Sequence, residues 1–243
     1  AIMVVKMLFG GLGKNFANPA ITARIFVVLA WTSAMTTFVE PIDYSQGFGS
    51  AMVSYFPQMF GTVDAVTSAT PLGVVQGSLS GGGGSISILN MFLGYIGGCI
   101  GEVSAIALIL GGIYLIIKRI IDWRIPVLYI LTSVILALIF YENGYMYILP
   151  TIFGGGLLIG AFFMATDYSS SPNSSLGVII YAVGLGVITM IIRRYGGYPE
   201  GVSFAILFMN LLTPLLDKYI KPRVFGVERK RPFAKKEAKN ENS

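Results

Sequence analysis

Five apolar runs constrain this chain more than any other feature: AITARIFVVLAWTSAMTTFV (20–39), IPVLYILTSVILALIFY (125–141), YILPTIFGGGLLIGAFFMA (147–165), LGVIIYAVGLGVITMII (176–192) and VSFAILFMNLLTPLLDKYI (202–220). Each has about the length an α-helix needs to cross a ~30 Å hydrocarbon layer. A sixth run, Ile86 to Ile117, is too long for one simple span and is interrupted by GYIGGCIGE. Composition agrees. Of 243 residues, 54% are hydrophobic and 12% charged, where a soluble domain carries roughly 25% charged residues. Mean hydropathy is +0.73. The expected fold class is an all-α polytopic membrane protein.

Residue usage excludes several chemistries. With one cysteine, Cys99, and no histidine, there is no internal disulfide, no Cys/His metal site and no imidazole base. Redox or transport work falls to carboxylates, hydroxyls or a bound organic cofactor. The chain starts at Ala1, and AIMVVKMLFGG reads as the tail of a helix already under way, so further spans are expected before it. No signal-peptide pattern is present.

Charge gives the orientation. Of seventeen Lys and Arg residues, nine lie from Lys218 onward, and Lys6, Lys14, Arg24, Lys118, Arg119 and Arg124 fall on the same side when the spans alternate. That leaves only Arg193 and Arg194 opposite. By the positive-inside rule the basic side is cytoplasmic, and the segment from Pro41 to about Ser85 faces outward. The basic tail reads as a solvated anchor near anionic headgroups. It lacks the aromatic interleaving of a nucleic-acid surface.

Several polar positions stand out against this background. Glycines and Glu102 in GYIGGCIGEVS mark a broken helix, which either lines a cavity or permits close helix packing. An intramembrane carboxylate favours the cavity. Asp167 and Asp217, at the cytoplasmic ends of their spans, serve either as interfacial caps or as oxygen ligands for a passing cation. Asn90 and Asn210 offer amide ligands or interhelical hydrogen bonds. Arg193 and Arg194 either pair with nearby Glu200 or neutralise an anion such as a phosphate. SLSGGGGSIS (78–87) reads as a flexible turn without chemistry. In DAVTSATPLG (64–73), small residues before Thr70 and Pro71 after it suit an extended, accessible segment where a hydroxyl can be modified.

Asp64-Ala65-Val66-Thr67-Ser68-Ala69-Thr70 resembles the flavinylation motif Asp-Gly-x-Ser/Thr-Gly-Ala-Thr, with Ala65 and Ser68 in place of its two glycines. LFGGLGKNFANPAITAR (8–24), LGYIGGCIGEVSAIALILGGIYL (93–115), MATDYSSSP (164–172) and YPEGVSFAILFMNLLTPLLDKY (198–219) resemble the D subunits of the Rnf complex. Rnf is the ion-translocating ferredoxin:NAD oxidoreductase, and its D subunit is homologous to the B subunit of the sodium-pumping NADH:quinone oxidoreductase. The likeness covers nearly the whole chain except the basic tail. It implies a ten-helix subunit of two inverted five-helix repeats, a fold shared with urea transporters. Residues 1–40 would end the first repeat, 41–85 form the exported flavin loop, 86–221 the second repeat and 222–243 a cytoplasmic tail.

The same resemblance implies FMN esterified to Thr70, with Asp64, Thr67, Ser68, Ala69 and Pro71 as the recognition segment. It also implies a noncovalent riboflavin near the cytoplasmic half and partner subunits A, B, C, E and G, the G subunit bearing flavin. The family's acids match Asp167 and Asp217. Its flavin transferase works outside the cytoplasmic membrane, the side on which charge counting puts Thr70. Ferredoxin and NAD would be handled by partners, since no Rossmann fingerprint or iron-sulfur cysteine array is present. The rival readings are a urea- or ammonium-type channel of the related fold, for which broken helices would serve equally well, and the quinone-reductase branch.

Overall fold

The computed structural model describes residues 1–8, 15–36, 38–39, 67–68, 70–74, 87–99, 101–141, 144–196 and 200–220. Its elements are α1 (Pro19–Ala30), α2 (Thr32–Thr36), β1 (Phe38–Val39), β2 (Thr67–Ser68), α3 (Ile88–Leu93), α4 (Ala105–Ile117), α5 (Arg124–Phe140), α6 (Gly144–Phe153), α7 (Leu157–Ile159), α8 (Ser175–Tyr195) and α9 (Val202–Tyr219). Wider π-type turns occur at Ile2–Met7 and at Gly160–Met164, the latter continuing α7.

Local chemistry sets the helix starts. Asn18 Oδ1 accepts the N–H groups of Ala20 and Ile21, and Pro19 takes the first helical position of α1. The cap satisfies donors that have no intrahelical partner, and proline has no N–H to lose there. Ser87, Ser104 and Ser174 cap α3, α4 and α8 in the same way. Gly94 ends α3 at φ 106, a left-handed conformation that glycine adopts without a Cβ penalty.

The chain is a mostly helical, multi-pass membrane protein, as its apolar runs predict. By length and composition α8 and α9 are each long and apolar enough to cross a membrane, and Tyr147–Phe153 with Leu157–Met164 passes the same test as a pair bent by 57°, a broken span or a re-entrant loop. α1, α4 and α5 are shorter apolar helices. Two expectations need correction. The run 147–165 is not one straight span, because Gly154–Gly156 interrupt it. The run 20–39 is also discontinuous, since α1 stops at Ala30 and a short α2 follows Trp31. The expected break in 86–117 is present, and the described residues between Leu93 and Ala105 are non-helical. The described residues also include one two-residue antiparallel pair, β1 with β2, matching Phe38 to Ser68 and Val39 to Thr67.

The core lies where α1, α5, the α7 segment, α8 and α9 meet, around Ile21, Tyr129, Leu157, Tyr181, Leu185 and Ile206. Close approach depends on small residues: a Cβ on Gly186 would lie 2.6 Å from Thr132 Cβ, so α8 rides directly on α5. Buried hydroxyls and amides pair across helices. Tyr129 and Thr189 hydroxyls meet at 2.6 Å, and Tyr181 donates to Asn210 Oδ1 at 2.7 Å. The outer surface is apolar, with Leu110, Ile117, Ile139, Leu211 and Leu215 exposed. This surface suits hydrocarbon rather than water.

Candidate functional site

The Thr70 segment is held at both sides. β2 ties Thr67 and Ser68 to the end of the first apolar run. Two residues on, Thr70 Oγ1 accepts the Gly73 N–H at 3.2 Å and Thr70 O accepts the Val74 N–H at 3.0 Å, closing a helical turn over 71–74. Pro71 and Leu72 are buried, and Thr70 is half-buried. Leu72, 5% exposed, packs at the break after α6: Cβ atoms added at Gly154 and Gly155 would lie 3.5 and 3.2 Å from its methyl groups. Asp64 and Ala69 lie outside the described residues.

The Gly154–Gly156 break is stabilised by an arginine from another helix. Gly155 has φ +63, where an L side chain is strained. Arg193, in the last turn of α8, is 4% exposed and donates Nη1 to Thr151 O at 2.7 Å and Nη2 to Gly154 O at 3.3 Å. A guanidinium thus satisfies carbonyls freed at the end of α6, where the helix dipole favours a cation. Arg193 Nε is without a partner among the described residues. Arg194 is exposed, its Cζ 6.0 Å from the ring centroids of Tyr141 and Tyr195. Neither arginine is ion-paired with Glu200 among the described residues. Glu200 has a different partner, so the alternative that pairs these arginines with Glu200 is not met among the described residues.

That partner is Arg24, from the middle of α1. Its Nη2 is 2.6 Å from Glu200 Oε2, 3.8 Å from Glu102 Oε2 and 3.5 Å from Cys99 Sγ, and its Nη1 donates to Ser203 Oγ at 3.3 Å. Glu102, 7% exposed, accepts the Cys99 N–H through Oε1 at 3.1 Å, so the carboxylate also orders the α3–α4 break. Gly156 lets the second break approach this group, since a Cβ there would lie 3.2 Å from Glu102 Oε2. One ligand atom each from Cys99, Glu102 and Glu200 falls within 4.8 Å of the others. A cation can be held there, and the Arg24 guanidinium supplies one from the protein itself. Sequence reasoning counted Arg24 as a cytoplasmic charge. Its pairing makes it an internally bonded charge, and only the folded contacts reveal that.

Asp167 and Asp217 belong to the other end of the bundle. Asp167 Oδ2 accepts from Ser169 and Ser170 hydroxyls at 2.9 and 3.0 Å, and Asn15 reaches Ser169 Oγ at 2.9 Å. Asp217 accepts the backbone and side-chain N–H of Asn173 at 3.1 and 3.3 Å. α9 starts beside Glu200 and ends beside Asp217, so roughly 24 Å of helix separates the two. The structure therefore joins Glu102 to Arg24 and Glu200, and leaves Asp167 and Asp217 on separate partners. Asn210 serves as interhelical glue through Tyr181.

A sequence model described as the NQR2, RnfD, RnfE family matches residues 1–226. The chain belongs to this family. Within the NQR2, RnfD, RnfE family it is 48% identical over 242 residues to the D subunit of the Na(+)-translocating ferredoxin:NAD(+) oxidoreductase complex of Acetobacterium woodii, covering 98% of this chain and 67% of that protein. It is 44% identical over 240 residues to the D subunit of the proton-translocating ferredoxin:NAD(+) oxidoreductase complex of Clostridium ljungdahlii, covering 94% and 67%. The D subunit of an ion-translocating oxidoreductase complex from Halorhodospira halophila is 38% identical over 243 residues, covering 93% and 67%.

Proposed function

We propose that this chain is the electron-carrying membrane subunit of a respiratory, redox-driven ion pump. FMN is joined by its phosphate to Thr70, and electrons pass between ferredoxin and NAD while Na⁺ or H⁺ crosses the membrane. The observation that carries the reading is the Thr70 turn, a hydroxyl-bearing segment anchored on a broken helix beside a half-buried ion-pair cluster. The hydroxyl fits esterification: its hydrogen bond to Gly73 uses the oxygen as acceptor, and an ester oxygen keeps a lone pair for that N–H. When bound, the flavin supplies electron storage and transfer. Pro71 and Leu72 then fix where its tether begins, and Thr67 and Ser68 fix the approach of the chain.

The relatives' names support the complex, and through it partners A, B, C, E and the flavin-bearing G subunit. They bracket the coupling ion without choosing it, since one relative is named for Na⁺ and another for protons. The division into residues 1–40, 41–85, 86–221 and 222–243, the inverted five-helix repeats and a noncovalent riboflavin remain part of this proposal. So does the exported Thr70 loop in a prokaryotic inner membrane with a cytoplasmic C-terminus. Charge supports that orientation: with the internally bonded Arg24 and Arg193 set aside, the bias is 14 to 1.

Mass spectrometry of the intact subunit, produced with its transferase, tests the attachment. One added FMN is expected, with flavin fluorescence that persists in a denaturing gel and disappears in Thr70→Ala. An unmodified chain in working complex, or fluorescence surviving Thr70→Ala, refutes Thr70 as the acceptor.

A further inference from the structure

The Arg24 cluster holds one guanidinium against two carboxylates. Glu102 stands in the α3–α4 break, Glu200 just before α9, and Arg24 comes from α1, a helix on the other side of the proposed repeat boundary. The two acids leave one negative charge that a proton or a monovalent cation neutralises. Arg24 is shared unequally between them, at 2.6 Å from Glu200 and 3.8 Å from Glu102. It has other acceptors at hand in Ser203 Oγ and Cys99 Sγ, so the guanidinium can loosen its hold on one acid without being left unpaired.

We propose that Arg24 is a positioning residue for cation passage, a tethered cation that occupies the Glu102–Glu200 pair and competes with the ion that crosses. It keeps the acids together when no ion is present, and it weakens ion binding there enough for the ion to leave. Removing its charge makes the pair a tighter and slower cation site. Replacing it with lysine, a point charge without the planar fork, gives an intermediate result. The inference rests on the ion-pump reading above and adds to it the residue that sets the pump's ion affinity.

The test uses the intact complex in proteoliposomes, with wild type, Arg24→Gln and Arg24→Lys. Ferredoxin:NAD turnover is titrated with NaCl at constant ionic strength, and with pH at fixed NaCl. In parallel, the rate at which N-ethylmaleimide modifies Cys99 is followed by mass spectrometry of its peptide. Cys99 is the only thiol in this chain, and it lies against Arg24. In wild type, the modification rate changes over the cation range that supports turnover. In Arg24→Gln the ion concentration for half-maximal turnover falls about tenfold, the Cys99 midpoint falls with it, and maximal turnover drops. A tenfold change corresponds to about 1.4 kcal/mol. Arg24→Lys shifts both midpoints in the same direction by less, and it carries the test if the glutamine variant does not assemble. Unmoved midpoints in the variants, with or without a loss of maximal turnover, overturn the proposal and leave Arg24 a structural tie. So does wild-type Cys99 reactivity that ignores Na⁺ and follows pH only as a free thiol such as glutathione does. The fluorescent band on Thr70 is scored in every sample, so failure of the flavin reading is seen separately from failure at Arg24.

Discussion

Formal charges at single positions conceal different jobs. Arg24, Arg193 and Arg194 look alike in a charge count, yet one bridges two acids, one caps a helix end and one lies beside tyrosine rings. Sequence marks Glu102 because a carboxylate inside a glycine-rich break is conspicuous. Its partners come from 78 positions before and 98 positions after it, so no local pattern announces them. Arg193→Met tests the cap. It strands Thr151 O and Gly154 O in a dry interior, where an unsatisfied polar group costs about 1–3 kcal/mol, so a clear fall in the thermal unfolding midpoint in detergent is expected. Tyr181→Phe removes only the bond to Asn210 Oδ1. A smaller loss of about 1 kcal/mol is expected by the same measurement, and a variant as fragile as Arg193→Met would contradict this ranking.

Among the elements, one interruption was legible and another was not. The α3–α4 break shows in the sequence because glycines and an acid interrupt the apolar run. The break after α6 lies in an apolar stretch whose three glycines are equally compatible with close packing of a straight helix. What makes it tolerable is Arg193, 39 and 42 positions from the carbonyls it serves, a long-range compensation that periodicity cannot display. Gly155→Ala tests the element directly. At φ +63 a side chain costs about 1–2 kcal/mol, and the added Cβ crowds Leu72 and Arg193, so lower stability is expected together with a looser Thr70 turn. Leu72→Ala should loosen the same turn from its other side, read as faster proteolysis between Thr70 and Val74 with the helical circular dichroism retained. Equal cleavage rates in wild type and Leu72→Ala would mean that this side chain does not anchor the segment.

For the whole molecule, hydropathy was informative because lipid imposes it everywhere along the chain. The multi-pass helical class follows from run lengths alone, whereas helix ends and bends depend on side chains that meet only after folding. Orientation is testable at this scale. In a Cys99→Ser background, a cysteine placed at Ser80 should react with a membrane-impermeant maleimide in whole cells or spheroplasts, and one placed at Ser243 only after lysis. The reverse pattern would put Thr70 inside and remove the exported flavin. The shortest pairing in the fold has a wide architectural effect. Because the Phe38–Val39 and Thr67–Ser68 rungs clip together the two feet of the connection, Thr70 is stationed by the rim of the bundle rather than by the length of residues 40–66. Shortening or extending that stretch would leave Thr70 where the β1–β2 rungs and the Leu72 contact hold it.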